Sequence, residues 1–440
     1  MSRRPSPREE LPRHVARPRQ PDGGDQPLAR EGTWRGLMWS AVIALGFVVL
    51  SYPRDLLPDF EASLGWLAAL VAAVAMADVK NLRAPWIPVP VLLFLVLCGT
   101  SVVWSVSPDD TVRALVLYGG IAVFGCLVVS STEISVLLRG ISWGAVAVAA
   151  LTLWAVLMGY AGAGGPVGEA PVLGYHGNRN IVSYSLVLGL AAVLAGRPTL
   201  RAGDGRSVWT LVRWGAPIPV IVVVLVLTRS GTGMVAAAAL VCAALLMAVA
   251  RRTRVFATAT SKVVGLVVAA LAVLLASTIT QSVFEALGRR TDFSGRVPLW
   301  RAVVDVWQEA PLLGYGWGAI WPYSWFAPES LTEVKQQIDV EAQTSLSHGH
   351  NIVFDLLPQL GLVGVVLLAV LIGGAVAWLF VPLGEREYVV ARWTSLGSLA
   401  LVVNGVSEPM LSIPIGWFVL VTVSASSSRL RRDGALSRSR

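Results

Sequence analysis

Apolar stretches of about 20 residues alternate along the chain with short polar segments rich in Arg, Pro and Gly. At 1.5 Å per helical residue, about 20 residues cross a hydrocarbon core of roughly 30 Å. Lipid offers no hydrogen bonds, so each block must satisfy its own backbone, and a helix does so. Twelve blocks stand out, at 34–51, 62–77, 87–104, 111–130, 135–158, 180–196, 214–228, 231–250, 262–280, 352–380, 390–404 and 411–427. The pattern predicts an all-α fold, a polytopic transmembrane bundle of about 12 spans. The 352–380 block is long enough to begin as an interfacial turn or to run tilted.

Two segments interrupt the pattern. Residues 1–33 are rich in Arg, Pro, Gly and Asp and have no apolar core, so they read as a disordered basic tail and not as a signal peptide. The first apolar block lacks a convincing cleavage site and is expected to be retained. Residues 281–350 form the largest loop. Within it, 297–310 (VPLWRAVVDVWQEA) has helical periodicity, with Trp300, Val303, Val304 and Trp307 on one face and Arg301, Asp305 and Gln308 on the other. Its two tryptophans predict an amphipathic helix lying along the membrane–water boundary. No internal repeat is strong enough to argue a duplicated transporter.

Composition agrees with lipid as the solvent. The chain is 55% hydrophobic and 14% charged, with mean hydropathy +0.66, against about 25% charged residues in soluble domains. The net charge of +8 is not a nucleic-acid footprint, because the basic residues sit in short runs between apolar blocks. Placing the N-terminus in the cytoplasm puts most of them on one side: the tail arginines, Lys80 and Arg83, Arg139, Arg197 to Arg213, Arg251 to Lys262, Arg386 and Arg392, and Arg429 to Arg440. The short loops of the opposite side keep only Arg54, Arg179 and Arg229. By the positive-inside bias both termini are cytoplasmic and the 281–350 loop is extracytoplasmic. The expected organisation is a tail (1–33), nine spans (34–280), the outer loop (281–350), three spans (351–427) and a second basic tail (428–440) in the cytoplasmic membrane. Cys98, Cys126 and Cys242 all lie inside apolar blocks, which implies neither a disulfide framework nor a metal motif.

The outer-face arginines are exceptions to that bias. Arg229 sits in the tight turn TRSGTG, Arg296 at the start of the amphipathic segment, and Arg179 in GNRN at the start of a span. Each fits either a snorkelling interfacial residue or part of a cluster gripping an anion, for which the planar guanidinium fork is well suited. Three of the four histidines, His176, His348 and His350, also fall on the outer side, and His14 lies in the tail. Imidazole titrates near neutrality and can take a proton from a hydroxyl; a solvated loop histidine is the plainer reading for His176 and His348. The H-x-H pair has no Cys, Asp or Glu cluster nearby in sequence to complete a metal site, so no metal and no cofactor are expected.

The run from His350 to Val365, HNIVFDLLPQLGLVGV, is His-Asn, nine residues, then Gly361-x-x-Gly364, at the start of a long span. It resembles the signature of the O-antigen ligases, within the O-antigen ligase and polymerase superfamily. Gly295 to Gly318 resembles the segment ahead of that histidine, TRSG at 228–231 the arginine-bearing turn between central spans, and GNRN at 177–180 the asparagine-bearing start of an earlier span. The resemblance covers roughly 175–410. His348, a second histidine close to the motif, and a compact outer loop depart from the pattern.

The resemblance implies an inverting, metal-independent membrane glycosyltransferase. Its donor would be an undecaprenyl-diphosphate-linked glycan, and its acceptor a hydroxyl on a lipid, a glycan or a protein. Implied roles follow: His350 as general base, Arg229 and Arg296 on the diphosphate, Asn351 orienting the base or the acceptor, and Arg179, Asn178, Asn180 and His348 lining the same cavity. A polysaccharide polymerase of the same superfamily is the nearest alternative. A lipid-linked glycan flippase or secondary transporter is an alternative of another class, against which the near absence of mid-span charge weighs.

Overall fold

In the computed structural model the described residues are 33–51, 59–77, 87–160, 164, 170–174, 178–196, 214–253, 296–323, 330–376 and 385–438. Helices occupy eleven of the twelve apolar blocks. They are α1 (Trp34–Ser51), α2 (Asp59–Met76), α3 (Val89–Thr100), α4 (Pro108–Ser131), α5 (Ile134–Leu157), α6 (Arg179–Gly196), α7 (Pro217–Leu227) and α8 (Gly231–Thr253). Beyond the loop helices α9 (Arg296–Glu309) and α10 (Glu333–Ala342) come α11 (Ile352–Val376), α12 (Glu385–Gly405) and α13 (Pro414–Arg438). The expected span at 262–280 and most of the N-terminal tail lie outside the described residues. Among the described residues there is no strand; Gly164 and Val172 form an isolated antiparallel bridge.

Among the described residues, six helical stretches are long and apolar enough to cross a membrane: Trp34–Ser51, Pro108–Ser131, Ile134–Leu157, Arg179–Gly196, Gly231–Val249 and Ile352–Gly373. Val89–Val103 and Pro217–Leu227 are apolar but shorter. The chain is a multi-pass helical membrane protein. Apolar side chains stay exposed on the outward faces of α3 (Leu92, Leu93, Val96), α8 (Leu245, Leu246, Val249) and α11 (Val366, Val370), as lipid contact requires. The inner helices have another character. Residues 411–427 are buried without interruption, although they include Thr422, Ser424, Ser426 and Ser427. Neighbouring helices shield those hydroxyls from lipid, so α13 tolerates a composition that a lipid-facing helix would not.

Small residues let the outer helices approach. A Cβ on Gly140 or Gly144 of α5 would lie 2.5 Å from Ile43 Cβ or 2.7 Å from Phe47 Cβ of α1. The α1–α5 pair is correspondingly among the most extensive helix contacts.

One end of the bundle is arginine-rich. Arg35 donates to Met76 O at the end of α2, Arg139 to Gly36 O and Ser40 Oγ, Arg392 to Leu194 O at the end of α6, and Arg429 to Val129 O and Thr132 O at the end of α4. Cations on the terminal carbonyls of helices offset the partial negative charge that gathers there. These residues fall in the segments that the charge asymmetry assigns to the cytoplasm.

At the opposite end, residues 296–323 and 330–351, ahead of α11, pack onto the bundle. Their first helix, α9, is amphipathic, but the apolar face differs from the expected one. The buried stripe is Leu299, Ala302, Val303 and Val306, at i, i+3, i+4 and i+7, packed against α10 and α11. Trp300 and Trp307 lie at its margins, and the stripe is covered by protein and not by a membrane surface.

The glycine motif also acquires a structural meaning. Gly361 has φ 59° and ψ −160°, a break inside α11 three residues after Pro358. The chain after α9 lies along that break: Tyr315 N donates to Pro358 O (2.9 Å), Gly316 N to Gln359 O (2.9 Å), Leu362 N to Pro311 O (2.9 Å) and Val363 N to Leu312 O (3.2 Å). Backbone groups released from the helix are thus paired, as membrane depth demands. A Cβ at Gly361 would sit 2.4 Å from Leu312 C and O, so the close approach and the positive φ both require glycine.

Candidate active site

The loop ends opposite the arginine-rich face converge on one carboxylate. Glu408, in the turn between α12 and α13, is 2% exposed. Its Oε1 accepts from Asn180 Nδ2 at 2.9 Å and from Arg296 at 3.4 Å. Its Oε2 lies 3.8 Å from His348 Nε2 and 3.7 Å from His350 Nδ1. Four segments more than 50 residues apart therefore meet here: the start of α6, the start of α9, the histidine loop before α11, and the α12–α13 turn.

The TRSG turn joins through Ser230. Its hydroxyl donates to Asn180 Oδ1 (3.1 Å), pairs with Ser183 Oγ (3.1 Å) and accepts from Gly233 N (3.3 Å). Asn180 is thus a bridge, with one amide atom on the turn and the other on Glu408. Arg229 lies between buried Thr228 and Ser230 and is itself exposed. The turn holds it with φ 49°. Among the described residues only Arg229, Gln343 and His350 are non-glycine with positive φ. Gln343 is the C-cap of α10; the other two are among the three candidate catalytic residues. Such backbone costs energy, of order 1–3 kcal/mol, and tends to gather where a side chain must be aimed.

The histidines differ in their bonding. His348 Nδ1 accepts from His350 N at 3.2 Å, so this nitrogen carries no proton and the neutral ring bears its hydrogen on Nε2, toward Glu408. Burial pushes the His348 imidazole down to about 3, against the pull of Glu408 and with the help of His350 and Arg296. Near neutral pH it is an uncharged donor and a poor base. His350 presents Nδ1 toward Glu408, buried and without a hydrogen bond at that atom. A carboxylate behind Nδ1 favours a proton there and leaves Nε2 as the free acceptor. This asymmetry separates the two histidines. Burial pushes the Glu408 carboxyl up, but His350, His348 and Tyr184 outweigh it and hold it below its ordinary value, so it stays ionised.

The two asparagines flanking the motifs have local duties. Asn351 Oδ1 accepts from Val353 N (2.8 Å) and Phe354 N (3.2 Å), which makes it the N-cap of α11. Its Nδ2 donates to Val406 O (2.9 Å), tying the cap to the end of α12. Both amide atoms hold the loop in place, one on the backbone of α11 and the other on the end of α12. Asn178 Oδ1 likewise accepts from Asn180 N (2.9 Å) at the start of α6. Arg179, the first residue of α6, is half-buried. His176 lies outside the described residues.

Glu408 corrects one expectation. His348, His350 and Glu408 each bring a potential ligand atom within 4.8 Å of the others, so a carboxylate does complete a possible metal set, from far along the chain. The same carboxylate already carries the Arg296 guanidinium, and that positive charge opposes a second cation.

Comparison with known proteins agrees with this geometry. A family model described as O-Antigen ligase matches residues 218–369, which include the TRSG turn, α9, the histidine pair and the Gly361 break. Exopolysaccharide production protein ExoQ of Rhizobium meliloti (strain 1021) is 23% identical over 288 residues, 64% of this chain and 63% of that protein. The match therefore spans somewhat less than two thirds of the relative's length. The matched residues converge at one end of a helical membrane bundle, and over that region the chain is similar to the O-antigen ligase family.

Proposed function

We propose that this protein transfers a glycan from an undecaprenyl-diphosphate carrier to an acceptor hydroxyl, with inversion and without a metal, at the outer face of the cytoplasmic membrane. The observation that carries the reading is the buried Glu408 contacting both Arg296 and His350. A base must take the acceptor's proton as the oxygen attacks the anomeric carbon. His350 has the free Nε2 for this, and Glu408 stabilises the imidazolium that results. The breaking C–O bond leaves its electron pair on the diphosphate, whose growing charge needs cations. Arg296 has one nitrogen on Glu408 and further donors to spare, and Arg229 is exposed on the adjoining turn. The carrier's polyprenyl tail would lie against the lipid-facing helices.

A second reading is a polymerase, with a growing lipid-linked chain as acceptor. It is favoured by the relative, which is named for exopolysaccharide production. The deciding experiment incubates purified protein in lipid with a defined lipid-diphosphate glycan and candidate acceptors. A glycosylated acceptor plus free lipid diphosphate supports transfer, and a ladder of longer lipid-linked glycans supports polymerisation. Intact donor in every combination would contradict both. The outward orientation rests on the arginine asymmetry. A cysteine at Ser345 should react with an impermeant thiol reagent in intact cells and one at Gly203 only after lysis; the reverse pattern would refute it.

A further inference from the structure

A second buried carboxylate, Asp355, stands in the first turn of α11 and contacts none of the groups assigned to substrate. It is 1% exposed and every oxygen is engaged. Oδ1 accepts from Gly349 N at 2.9 Å. Oδ2 accepts from Tyr323 OH at 2.7 Å and Ser412 Oγ at 2.6 Å. Its carbonyl accepts from Trp321 Nε1 at 2.9 Å and Gln359 Nε2 at 2.9 Å.

Two of those partners, Gly349 and Ser412, lie on the two loops that form the acid–base pair. Gly349 is the residue between His348 and His350, and Ser412 follows Glu408 in the α12–α13 turn. The second polar group of Gly349 is also held: its carbonyl accepts from Trp300 Nε1 at 2.9 Å, and the Trp300 ring stacks on Phe354 with centroids 4.9 Å apart. Nothing larger than glycine fits, since a Cβ would meet Asp355 N at 2.6 Å. The peptide carrying the candidate base is therefore clamped on both sides, and one side of the clamp is also anchored to the turn carrying Glu408.

We infer that Asp355 is a positioning residue, which through Gly349 and Ser412 fixes the separation of His350 from Glu408. The physical case is one of rigidity. His350 has positive φ, a backbone state that relaxes unless its surroundings over-determine it. The gap between His350 Nδ1 and Glu408 is already 3.7 Å, so little further drift would uncouple them. Misplacement by about 1 Å can cost on the order of 10²-fold in rate. A carboxylate suits the position because it has only acceptor sites, and four neighbours, Gly349, Tyr323, Ser412 and Gln359, arrive as donors.

The inference rests on His350 as the base, so its test includes a readout that does not need the reaction. In Asp355→Ala protein that inserts normally, turnover should fall by about 10²-fold with little change in KM for the lipid-diphosphate donor. Asp355→Asn should restore most of the rate, since its oxygen can face Gly349 N–H while the two hydroxyls rotate to accept from its amide. Ser412→Ala, a milder change, should lower turnover several-fold and covers the case in which Asp355→Ala fails to fold. In parallel, diethyl pyrocarbonate labelling of His350, mapped by mass spectrometry, should speed up in Asp355→Ala and not in Asp355→Asn. Unchanged labelling and turnover in folded Asp355→Ala, or in Ser412→Ala should the former not fold, would overturn the positioning role. Faster labelling in a protein that transfers no glycan would sustain the clamp and remove the transferase reading alone.

Discussion

Replacing Glu408 with Gln is the perturbation that the site geometry makes most informative. The side chain keeps its size, and one oxygen remains to accept from Asn180 and Arg296, so the fold and the junction of α6 with the α12–α13 turn should persist. What disappears is the negative charge 3.7 Å behind His350 Nδ1. Two unit charges about 4 Å apart interact by roughly 4 kcal/mol at an effective dielectric of 20. The imidazolium in the transition state would lose much of that, offset in part because Arg296 is released from its own pair. A net loss of about 3 kcal/mol corresponds to roughly 10²-fold in turnover at 1.36 kcal/mol per decade. The magnitude falls below the roughly 10⁴-fold cost of the corresponding change in a serine protease triad, because here the carboxylate makes no direct hydrogen bond to the ring. The assay is initial rate of glycan transfer in proteoliposomes with saturating lipid-diphosphate glycan, alongside thermal unfolding of the same preparation. Wild-type turnover in well-folded Glu408→Gln protein would refute the account of Glu408 as the partner of the base.

Three further expectations follow from neighbouring groups. Arg229→Ala should weaken binding of the lipid-diphosphate donor as well as turnover, and Arg229→Lys should recover only part, because an ammonium cannot copy the bidentate fork; full activity of Arg229→Ala would remove it from the diphosphate site. Exhaustive chelation should leave activity intact, whereas loss reversed by one divalent ion would make His348, His350 and Glu408 ligands. His348 is buried neutral, with its folded value lowered to about 3 from the 6.5 of a free imidazole. The unfolded chain therefore binds the extra proton, and the stability His348 lends is complete above pH 6.5 and declines as pH falls from 6.5 toward 3. His348→Gln should flatten the acid side of the profile of unfolding free energy against pH by up to about 1.4 kcal/mol per pH unit, and an unaltered slope would contradict burial in the neutral form.

Most of the helices were legible because lipid imposes a simple rule of length and apolarity, and α1, α4, α5, α6, α8 and α11 follow it closely. The inner helices strain that rule, since α13 carries hydroxyls that only its burial excuses. The amphipathic α9 was legible in kind but not in facing: Trp300 and Trp307 read as membrane anchors, while the packed stripe runs through Leu299 and Val306. His350, Arg296 and the Asn180 segment meet at Glu408. Glu408 was overlooked because local spacing cannot see a partner brought in by the turn between two other helices. A signal existed: it is a lone carboxylate in the apolar run from Ala391 to Ser428, and an acid at the end of a membrane helix needs a reason. Asn351 has a structural duty that its sequence position also announces. An asparagine directly before a long apolar helix is first of all a cap, and its two backbone partners bear that out.

The central claim is that His350 removes the acceptor's proton while the arginines hold the departing diphosphate. It is tested most directly by measuring transfer and donor binding together in His350→Ala protein. The account predicts normal insertion, donor binding close to wild type, and transfer lower by about 10²-fold or more. Product formation at the wild-type rate from a defined donor and acceptor would contradict it.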